Sequence, residues 1–330
     1  MPRSEQIPSC PLSFPGGRQS GEVRTYRIKL ITPLFGGGVE AGINDTVTPI
    51  RGKTVRGHLQ FWWRATRGAE CATLGELHRR QSDIWGTTEH ASKAQVSVMR
   101  LATDESLACA QYEWRARGGR GTWQLDWLPP FTGTELPYVL FPFQGKRPPD
   151  RNAQPEQAPA TCFRQVVFEL QLRAPSALWI DVEAALWAWV NFGGIGSRTR
   201  RGCGALSATP GEPGQRGLLP PSADTLDSWW DESAKRYGLT SPTAAREWPT
   251  LVDTARKGRL LCDKTATGPI EAWDRVIRLF KHFRQGPGLG RDPGSGGVPG
   301  RSRYPEPESI RSAAGTRAPK HARLPIPDEA

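Results

Sequence analysis

The sequence predicts an α+β protein made of two tandem ferredoxin-like (RRM-like) domains, and two observations carry this prediction. Apolar and polar residues alternate over 23–31 and again over 164–173, which is typical of half-buried strands. A glycine-rich loop and an aromatic helix accompany each of these strands, so the same order of elements occurs twice. An internal repeat of this kind favours a duplicated α+β unit.

A polar, proline-rich stretch at 148–161 is the predicted linker between the two domains. It separates a first domain at 21–147 from a second domain at 162–330, which carries a Gly/Arg-rich loop. The length of 330 residues is enough for two domains, each with its own core. Residues 1–20 are rich in Pro, Ser and Gly and are expected to form a disordered leader.

The first domain opens with the strand at 23–31, in which Tyr26, Ile28 and Leu30 share the face expected to be buried. The elements predicted after it are a helix at 53–67, a short helix at 74–82, a strand at 95–101 and a strand at 138–143.

The second domain opens with the strand at 164–173, in which Val166, Phe168 and Leu170 share one face. The helices predicted after it span 182–192, 229–237 and 270–283. From residue 285 onward, Gly, Pro and Arg dominate, and this stretch is a candidate docking segment.

The charge balance points to a polyanionic partner. There are 44 Lys and Arg residues against 33 Asp and Glu residues, a net charge of +11. A membrane surface is the competing partner, but no apolar run approaches the roughly 20 residues that span a bilayer. The first residues also lack the apolar core of a signal peptide. We therefore expect a soluble, cytoplasmic protein that binds no membrane.

Cysteine and histidine spacing gives no sign of a metal site. The six cysteines and five histidines are scattered, without a C-x-x-C pair or an H-E-x-x-H motif. We expect free cysteines in a reducing compartment, no metal and no cofactor.

A glycine-rich loop loaded with arginines follows the predicted helix at 182–192. Glycine permits positive φ and close backbone approach, and the planar arginine guanidinium matches phosphate oxygens. We therefore predict that the arginines hold the phosphates of a nucleic acid while backbone N–H groups close on the same strand. The alternative is a surface turn whose arginines are solvated. The predicted RNA-binding residues of the loop are Gly193, Gly194, Gly196, Arg198, Thr199, Arg200, Arg201 and Gly202.

Spacing excludes two mononucleotide or dinucleotide fingerprints. The third glycine of a Rossmann G-x-G-x-x-G motif would fall on Thr199. The first glycine of a Walker motif ending at Thr54 would fall on Val47.

The predicted helix at 53–67 carries three further candidate RNA-binding cations, Lys53, Arg56 and Arg64. Lys53 and Arg56 occupy the first turn, where the helix macrodipole disfavours positive charge. That misfit favours a ligand role, and a solvated helix face is the alternative.

The tryptophans and a second Arg/Gly cluster have two interpretations each. Trp62, Trp63, Trp187 and Trp189 lie on amphipathic helices and are expected in the core, with stacking on unpaired bases as the alternative. The cluster at 115–122 is either a mobile RNA-contacting loop or a linker, and Trp123 and Trp127 beside it are the better candidates for base stacking.

Several ordered blocks resemble those of the Cmr-type RAMP proteins, in particular their subunit-one family. Each block is short, and their order and joint presence carry the resemblance. The blocks are ITPLFGGG at 31–38, PIRGKTVRGHLQFWWRA at 49–65, DIWGT at 83–87 with Ser92, FGGIGSRTRRGCG at 192–204, GRSRYPEPESIR at 300–311 and LPI at 324–326.

This resemblance implies two tandem RAMP domains in a non-catalytic, RNA-binding subunit of the type III-B CRISPR effector (Cmr) complex. The implied partners are CRISPR RNA, target RNA and other Cmr RAMP subunits, especially subunit six and the backbone subunits. The implied position is near the end distal to the 5′ tag of the CRISPR RNA, where the subunit would help capture target RNA in antiviral defence.

Two departures from the family pattern stand out. Gln60 occupies a position where the family usually has arginine. The chain also ends soon after Leu324-Pro325-Ile326, where the family continues, so the second domain is expected to be either truncated or completed by a partner.

Two rival functions remain at the level of sequence. One is a metal-independent RAMP endoribonuclease that processes CRISPR RNA, for which His58 is the single candidate catalytic residue. The other is a scaffold whose aromatic surface docks neighbouring subunits without contacting RNA.

Overall fold

A computed structural model describes residues 21–117, 120–210, 218, 225–239, 246–251 and 266–285. The leader at 1–20 and the stretch from 286 onward, with its predicted docking segment and C-terminal departure, lie outside the described residues. The strands are β1 Glu22–Leu30, β2 Leu34–Phe35, β3 Gln95–Thr103, β4 Leu107–Ala108, β5 Ala110–Arg117, β6 Arg120–Trp127, β7 Thr161–Phe163, β8 Val166–Ala174 and β9 Leu206–Pro210. The helices are α1 Gly52–Ala65, α2 Leu74–Trp85, α3 Pro137–Leu140, α4 Trp179–Phe192, α5 Leu226–Arg236 and α6 Pro269–Gln285.

Four strands form an antiparallel sheet in the order β3-β8-β1-β9. Ile28 of β1 lies opposite Phe168 of β8 on one side and Ala208 of β9 on the other. Along the chain the elements run β1, α1, β3, β8, α4, β9, which is the order of a ferredoxin-like fold. The predicted α+β class is therefore confirmed.

The predicted division at 148–161 does not separate two sheets. Strand β1, assigned to the first domain, pairs along its length with β8 and β9, both assigned to the second. Residues 22–210 thus form one ferredoxin-like unit rather than parts of two, and no second unit of this kind is found in the described ranges. Alternation along a strand shows which face is buried, whereas the neighbouring strand is set by long-range packing.

Helices α1 and α4 cover one face of this sheet. Trp63, near the end of α1, donates a hydrogen bond to Asp181, near the start of α4, so the two helices run antiparallel. The other predicted core tryptophans behave as expected, since Trp187 and Trp189 are buried and Trp62 is partly buried against the same core.

A second, smaller core lies outside the four-stranded sheet and its two helices. A three-stranded sheet in the order β2-β7-β4, helix α3 and helix α6 enclose it around Phe35, Phe131 and Trp273. The strand predicted at 138–143 is wrong. Pro137 occupies the first turn of α3, and Pro142 lies in the 3₁₀ turn that follows at Phe141–Phe143. Proline supplies no N–H for a strand ladder, so this segment is a poor strand.

The described residues of the second Arg/Gly cluster, 115–117 and 120–122, lie in the paired strands β5 and β6. Arg115 forms ion pairs with Glu113 at 3.2 Å and Asp126 at 2.5 Å. Trp123 donates its indole N–H to the carbonyl oxygen of Asp150 at 2.8 Å. These contacts give both residues a structural role.

Candidate nucleic-acid interface

The loop at 193–204 is fastened to the chain segment that follows β1. The N–H of Ser197 donates to the carbonyl oxygen of Phe35 at 2.8 Å, and the N–H of Gly204 donates to that of Pro33 at 2.9 Å. These bonds continue the β1–β9 pairing beyond the sheet. The loop is therefore held in one shape at the end of the ferredoxin-like unit.

Internal packing accounts for two of the predicted glycines. Gly196 has φ +90°, and a methyl group there would lie 2.5 Å from the carbonyl oxygen of Phe35. Gly202 has φ +87°, and a methyl group there would lie 2.5 Å from Nε1 of Trp273. Both positions need glycine for the positive φ and for the close approach.

Gly193 and Gly194 end α4 through hydrogen bonds with Trp189. The N–H of Gly193 donates to the carbonyl oxygen of Trp189, and the indole N–H of Trp189 donates to the carbonyl oxygen of Gly194, both at 2.9 Å. Many N–H groups of the loop are thus used internally, which leaves the predicted backbone contacts to phosphate fewer donors. The N–H groups so used are those of Gly193, Ile195, Ser197, Arg201, Gly202 and Gly204.

The three arginines of the loop are positioned by a 3₁₀ turn at Thr199–Arg201. Arg198 precedes it with φ +58°, a left-handed conformation that costs a residue other than glycine about 1–2 kcal/mol. Arg200 is exposed, and no carboxylate of the described residues lies within 4 Å of the guanidinium of Arg198, Arg200 or Arg201. Among the described residues, the loop therefore presents three positive charges without a counter-charge.

Aromatic side chains that the sequence analysis missed flank these arginines. The Cζ atom of Arg201 lies 4.6 Å from the ring centre of Phe280, and that of Arg198 lies 5.8 Å from the ring centre of Phe141. Both rings come from segments remote in sequence, so no local pattern signals them.

The start of α1, which carries Lys53 and Arg56, lies at the end of the helix pair where α4 leads into the loop, because the two helices run antiparallel. A glycine turn links the start of α1 and the loop, because a methyl group at Gly36 would lie 2.4 Å from Oγ of Ser197, and one at Gly37 would lie 3.9 Å from the carbonyl oxygen of Pro49. No acidic residue occupies the first turn of α1, and no side chain caps it.

The first-turn cations differ from the arginine that precedes them. Arg51 is neutralised by Asp45 at 2.5 Å. Lys53 is exposed, and neither it nor Arg56 pairs with a carboxylate in the described part of the chain. Their charge therefore adds to that of the helix N-terminus.

Arg64 is not part of this group. It occupies the last turn of α1, about 16 Å along the helix axis from Lys53 at about 1.5 Å per residue. Its guanidinium donates to Oε1 of Gln81 in α2 at 2.9 Å, which is a structural contact between helices.

His58 packs between the two helices. Its ring stacks on that of Trp189 at 5.8 Å with an interplanar angle of 12°. Burial lowers the pKa of the imidazole, and no hydrogen bond joins it to another of the described residues. A histidine in this position has a packing role, and nothing here pairs it with a second acid or base.

The described residues show no metal cluster and no membrane-spanning helix. Within the described ranges, no three His, Cys, Asp or Glu side chains lie close enough together to hold a metal ion. None of the helices described is long and apolar enough to cross a bilayer. Cys71, Cys109, Cys162 and Cys203 are buried free thiols.

Comparison with known proteins places this geometry in a family context. The model of the RAMP superfamily matches residues 27–207. The CRISPR system Cmr subunit Cmr1-1 of Pyrococcus furiosus is 26% identical over 161 residues, which is 48% of this chain and 40% of that protein. The matched segment is thus less than half the length of this relative.

Two solved structures are also similar to this chain. The apo crystal structure of Cmr1 from Pyrococcus furiosus aligns with a TM-score of 0.48 and 17% identity, covering 83% of this chain and 79% of that chain. A chain of the type III-B Cmr-beta complex bound to cognate target RNA and AMPPnP aligns with a TM-score of 0.41 and 13% identity, covering 68% of this chain and 65% of that chain.

Proposed function

The chain belongs to the RAMP superfamily, and from that premise we propose that it is a non-catalytic RNA-binding subunit of a type III-B CRISPR ribonucleoprotein effector. The name of its relative, a Cmr1-1 subunit of a CRISPR Cmr system, supports this assignment. The proposed RNA-binding surface consists of the loop at 193–204 and the first turn of α1.

The observation that carries the proposal is the uncompensated charge of Arg198, Arg200 and Arg201 on a loop with a fixed shape. Arginines that no internal carboxylate neutralises keep their charge for phosphates, and a loop that is ordered before binding loses less conformational entropy. Both features hold among the described residues, and Lys53 and Arg56 would extend the positive surface from the loop to α1. The net charge of +11 acts in the same direction.

CRISPR RNA, target RNA, subunit six and the backbone subunits are the proposed partners, as the resemblance implies. The subunit would lie near the end distal to the 5′ tag and help capture target RNA. Sequence choice would come from base pairing between guide and target, because phosphate contacts carry no sequence information.

One titration tests the proposal. Labelled single-stranded RNA is titrated with the purified full chain at several salt concentrations, and each sample is divided between a native gel and a denaturing gel. We expect binding that weakens steeply with salt and RNA that stays intact.

Other outcomes point elsewhere. RNA that is shortened in EDTA, but not by His58→Ala, would establish the endoribonuclease. A folded protein that neither binds nor cleaves RNA would contradict the proposal and favour the scaffold.

A further inference from the structure

A cleft of about 330 Å³ opens beside the arginine loop. Its volume lies at the lower end of the about 300–1,000 Å³ that is usual for small-molecule sites. That size fits one nucleotide and is too small for a folded element of a partner. The lining residues are Tyr138, Val139, Phe141, Arg198, Arg201 and Phe280.

Three segments that are remote in sequence build the cleft. Tyr138 and Phe141 come from α3 and the turn after it, and Phe280 comes from α6. The rings of Tyr138 and Phe280 are 6.4 Å apart and inclined at 50°. The ring of Phe141 is 58% exposed, so one aromatic face is open to a ligand.

Cations on the two sides of the cleft differ in their partners. On α6, Lys281 pairs with Glu135 at 2.6 Å and Arg278 pairs with Asp274 at 3.1 Å. On the loop side, no carboxylate of the described residues neutralises Arg198 or Arg201. The uncompensated positive charge of the described lining residues therefore lies on the loop side of the cleft, where Arg198 is next to the ring of Phe141.

Two features of Arg198 are energetically unfavourable in the protein alone. Its Nε atom is buried without a hydrogen-bond partner, and its backbone is in the left-handed region at φ +58°. A buried N–H without an acceptor is energetically unfavourable. Arg198 lines the cleft, so a phosphate oxygen there would supply an acceptor if the guanidinium turned towards it.

We propose that this cleft binds one unpaired nucleotide of single-stranded RNA, with the base stacked on Phe141 and the phosphate held by Arg198 and Arg201. The inference rests on the proposed function and adds a base-binding position to it. Aromatic faces accept every base, because each base has a π face, so the site selects an unpaired nucleotide rather than a sequence. A paired base cannot leave its stack without an added cost.

The open face of the four-stranded sheet is a weaker candidate for base stacking. Its exposed side chains on β1 are Arg27 and Lys29, and on β3 they include Met99 and Leu101. None of these side chains is aromatic, so that face offers no stacking platform.

The test compares Phe141→Leu with Phe61→Leu, a matched removal of an exposed phenyl ring on α1 outside the cleft. Affinity for single-stranded RNA is measured at several salt concentrations, with an intact RNA and with an RNA of the same length that lacks its bases. We expect Phe141→Leu to weaken binding of the intact RNA about 5- to 100-fold with an unchanged salt slope. The base-free RNA should bind both variants and the original chain with equal affinity. Without a base there is no stacking contact with Phe141, so removing the ring has no further effect.

A second variant separates stacking from folding. Phe141→Tyr keeps the aromatic face and should bind intact RNA within about two-fold of the original chain. In addition, RNA carrying 5-iodouridine should crosslink under light to the peptide that contains Phe141.

The outcomes distinguish this inference from the proposed function. Salt-sensitive RNA binding that is equal in Phe141→Leu and the original chain would overturn the cleft and leave the proposed function standing. Absence of RNA binding in the original chain would overturn both. If Phe141→Leu releases a partner subunit but keeps full RNA affinity, the cleft binds protein and the inference is wrong.

Discussion

The indole Nε1 of Trp63 donates a 2.7 Å hydrogen bond to Oδ1 of Asp181, a residue with only 5% of its surface exposed. The same oxygen lies 3.7 Å from Nε of Arg67 and 3.5 Å from Nη2 of Arg80. One buried carboxylate therefore joins α1, α2, α4 and the turn between the first two helices. It fixes the antiparallel helix pair whose other end presents the first turn of α1 beside the arginine loop.

Replacing Asp181 should destabilise the whole unit. Asp181→Ala leaves the Trp63 indole without its acceptor and two arginines without a buried counter-charge, so we expect a loss of about 2–3 kcal/mol in the free energy of unfolding. Asp181→Asn keeps an acceptor and should lose less. Urea unfolding measures both. Asp83→Ala, which removes an exposed ion pair with Lys93, is the control and should change stability by less than about 1 kcal/mol.

Glycine at 196 should be required for the shape of the RNA-binding loop. In Gly196→Ala the new methyl group meets the carbonyl oxygen of Phe35 at 2.5 Å, and the backbone must hold φ +90°. We expect a loss of about 2–4 kcal/mol in unfolding free energy, together with weaker RNA binding. Thermal unfolding and RNA titration provide the readouts.

Gly57→Ala serves as the matched control for that substitution. Gly57 lies within α1, and a methyl group there would contact nothing within 4 Å. The change should raise the free energy of unfolding by about 0.5–1 kcal/mol. Equal effects of the two substitutions would contradict the packing role assigned to Gly196.

Local patterns predicted the main elements of the fold closely. The strand predicted at 23–31 is observed at 22–30, and the helix predicted at 182–192 is observed at 179–192. These elements have one face against the core, so their periodicity is visible in sequence. The pairing of β1 with β8 has no local signature, and for that reason the proline-rich stretch between them was interpreted as a domain boundary.

The candidate site also has features that the sequence predicts and features that depend on tertiary packing. The arginine loop stands out in the sequence because three arginines and several glycines fall within a few residues. Arg64 was grouped with Lys53 by sequence proximity, whereas the helix places them at opposite ends. Phe141 and Phe280 carry no local signal, because they become neighbours of the loop only through tertiary packing.

Stability should fall as the pH falls through about 6.5, and His58 should carry part of the effect. Burial lowers the pKa of His58 in the native state, whereas in the unfolded chain it is about 6.5. Below that value the unfolded state takes up the proton first, so the free energy of unfolding decreases. Above about pH 7.5 the imidazole is neutral in both states and the contribution is constant.

Urea unfolding at pH 7.5, 6.5 and 5.5 measures this dependence. His58→Gln should show a smaller decrease between pH 7.5 and 5.5 than the original chain. His78→Gln, which removes an exposed histidine, is the control. An identical pH profile in His58→Gln and the original chain would refute the assignment.

Removing Arg198, Arg200 and Arg201 together should weaken RNA binding and flatten its salt dependence. Each phosphate contact that is lost lowers the log–log slope by about 0.7 for a single strand, so the slope should fall by up to about 2. The matched control replaces Arg27, Lys29 and Arg79, three exposed cations outside the loop and the first turn of α1, by alanine. Both triple variants carry the same net charge, so a long-range field would change both slopes equally, whereas direct phosphate contacts change only the first. Equal slopes in the two variants would therefore assign RNA binding to net charge alone and contradict a specific role for the loop.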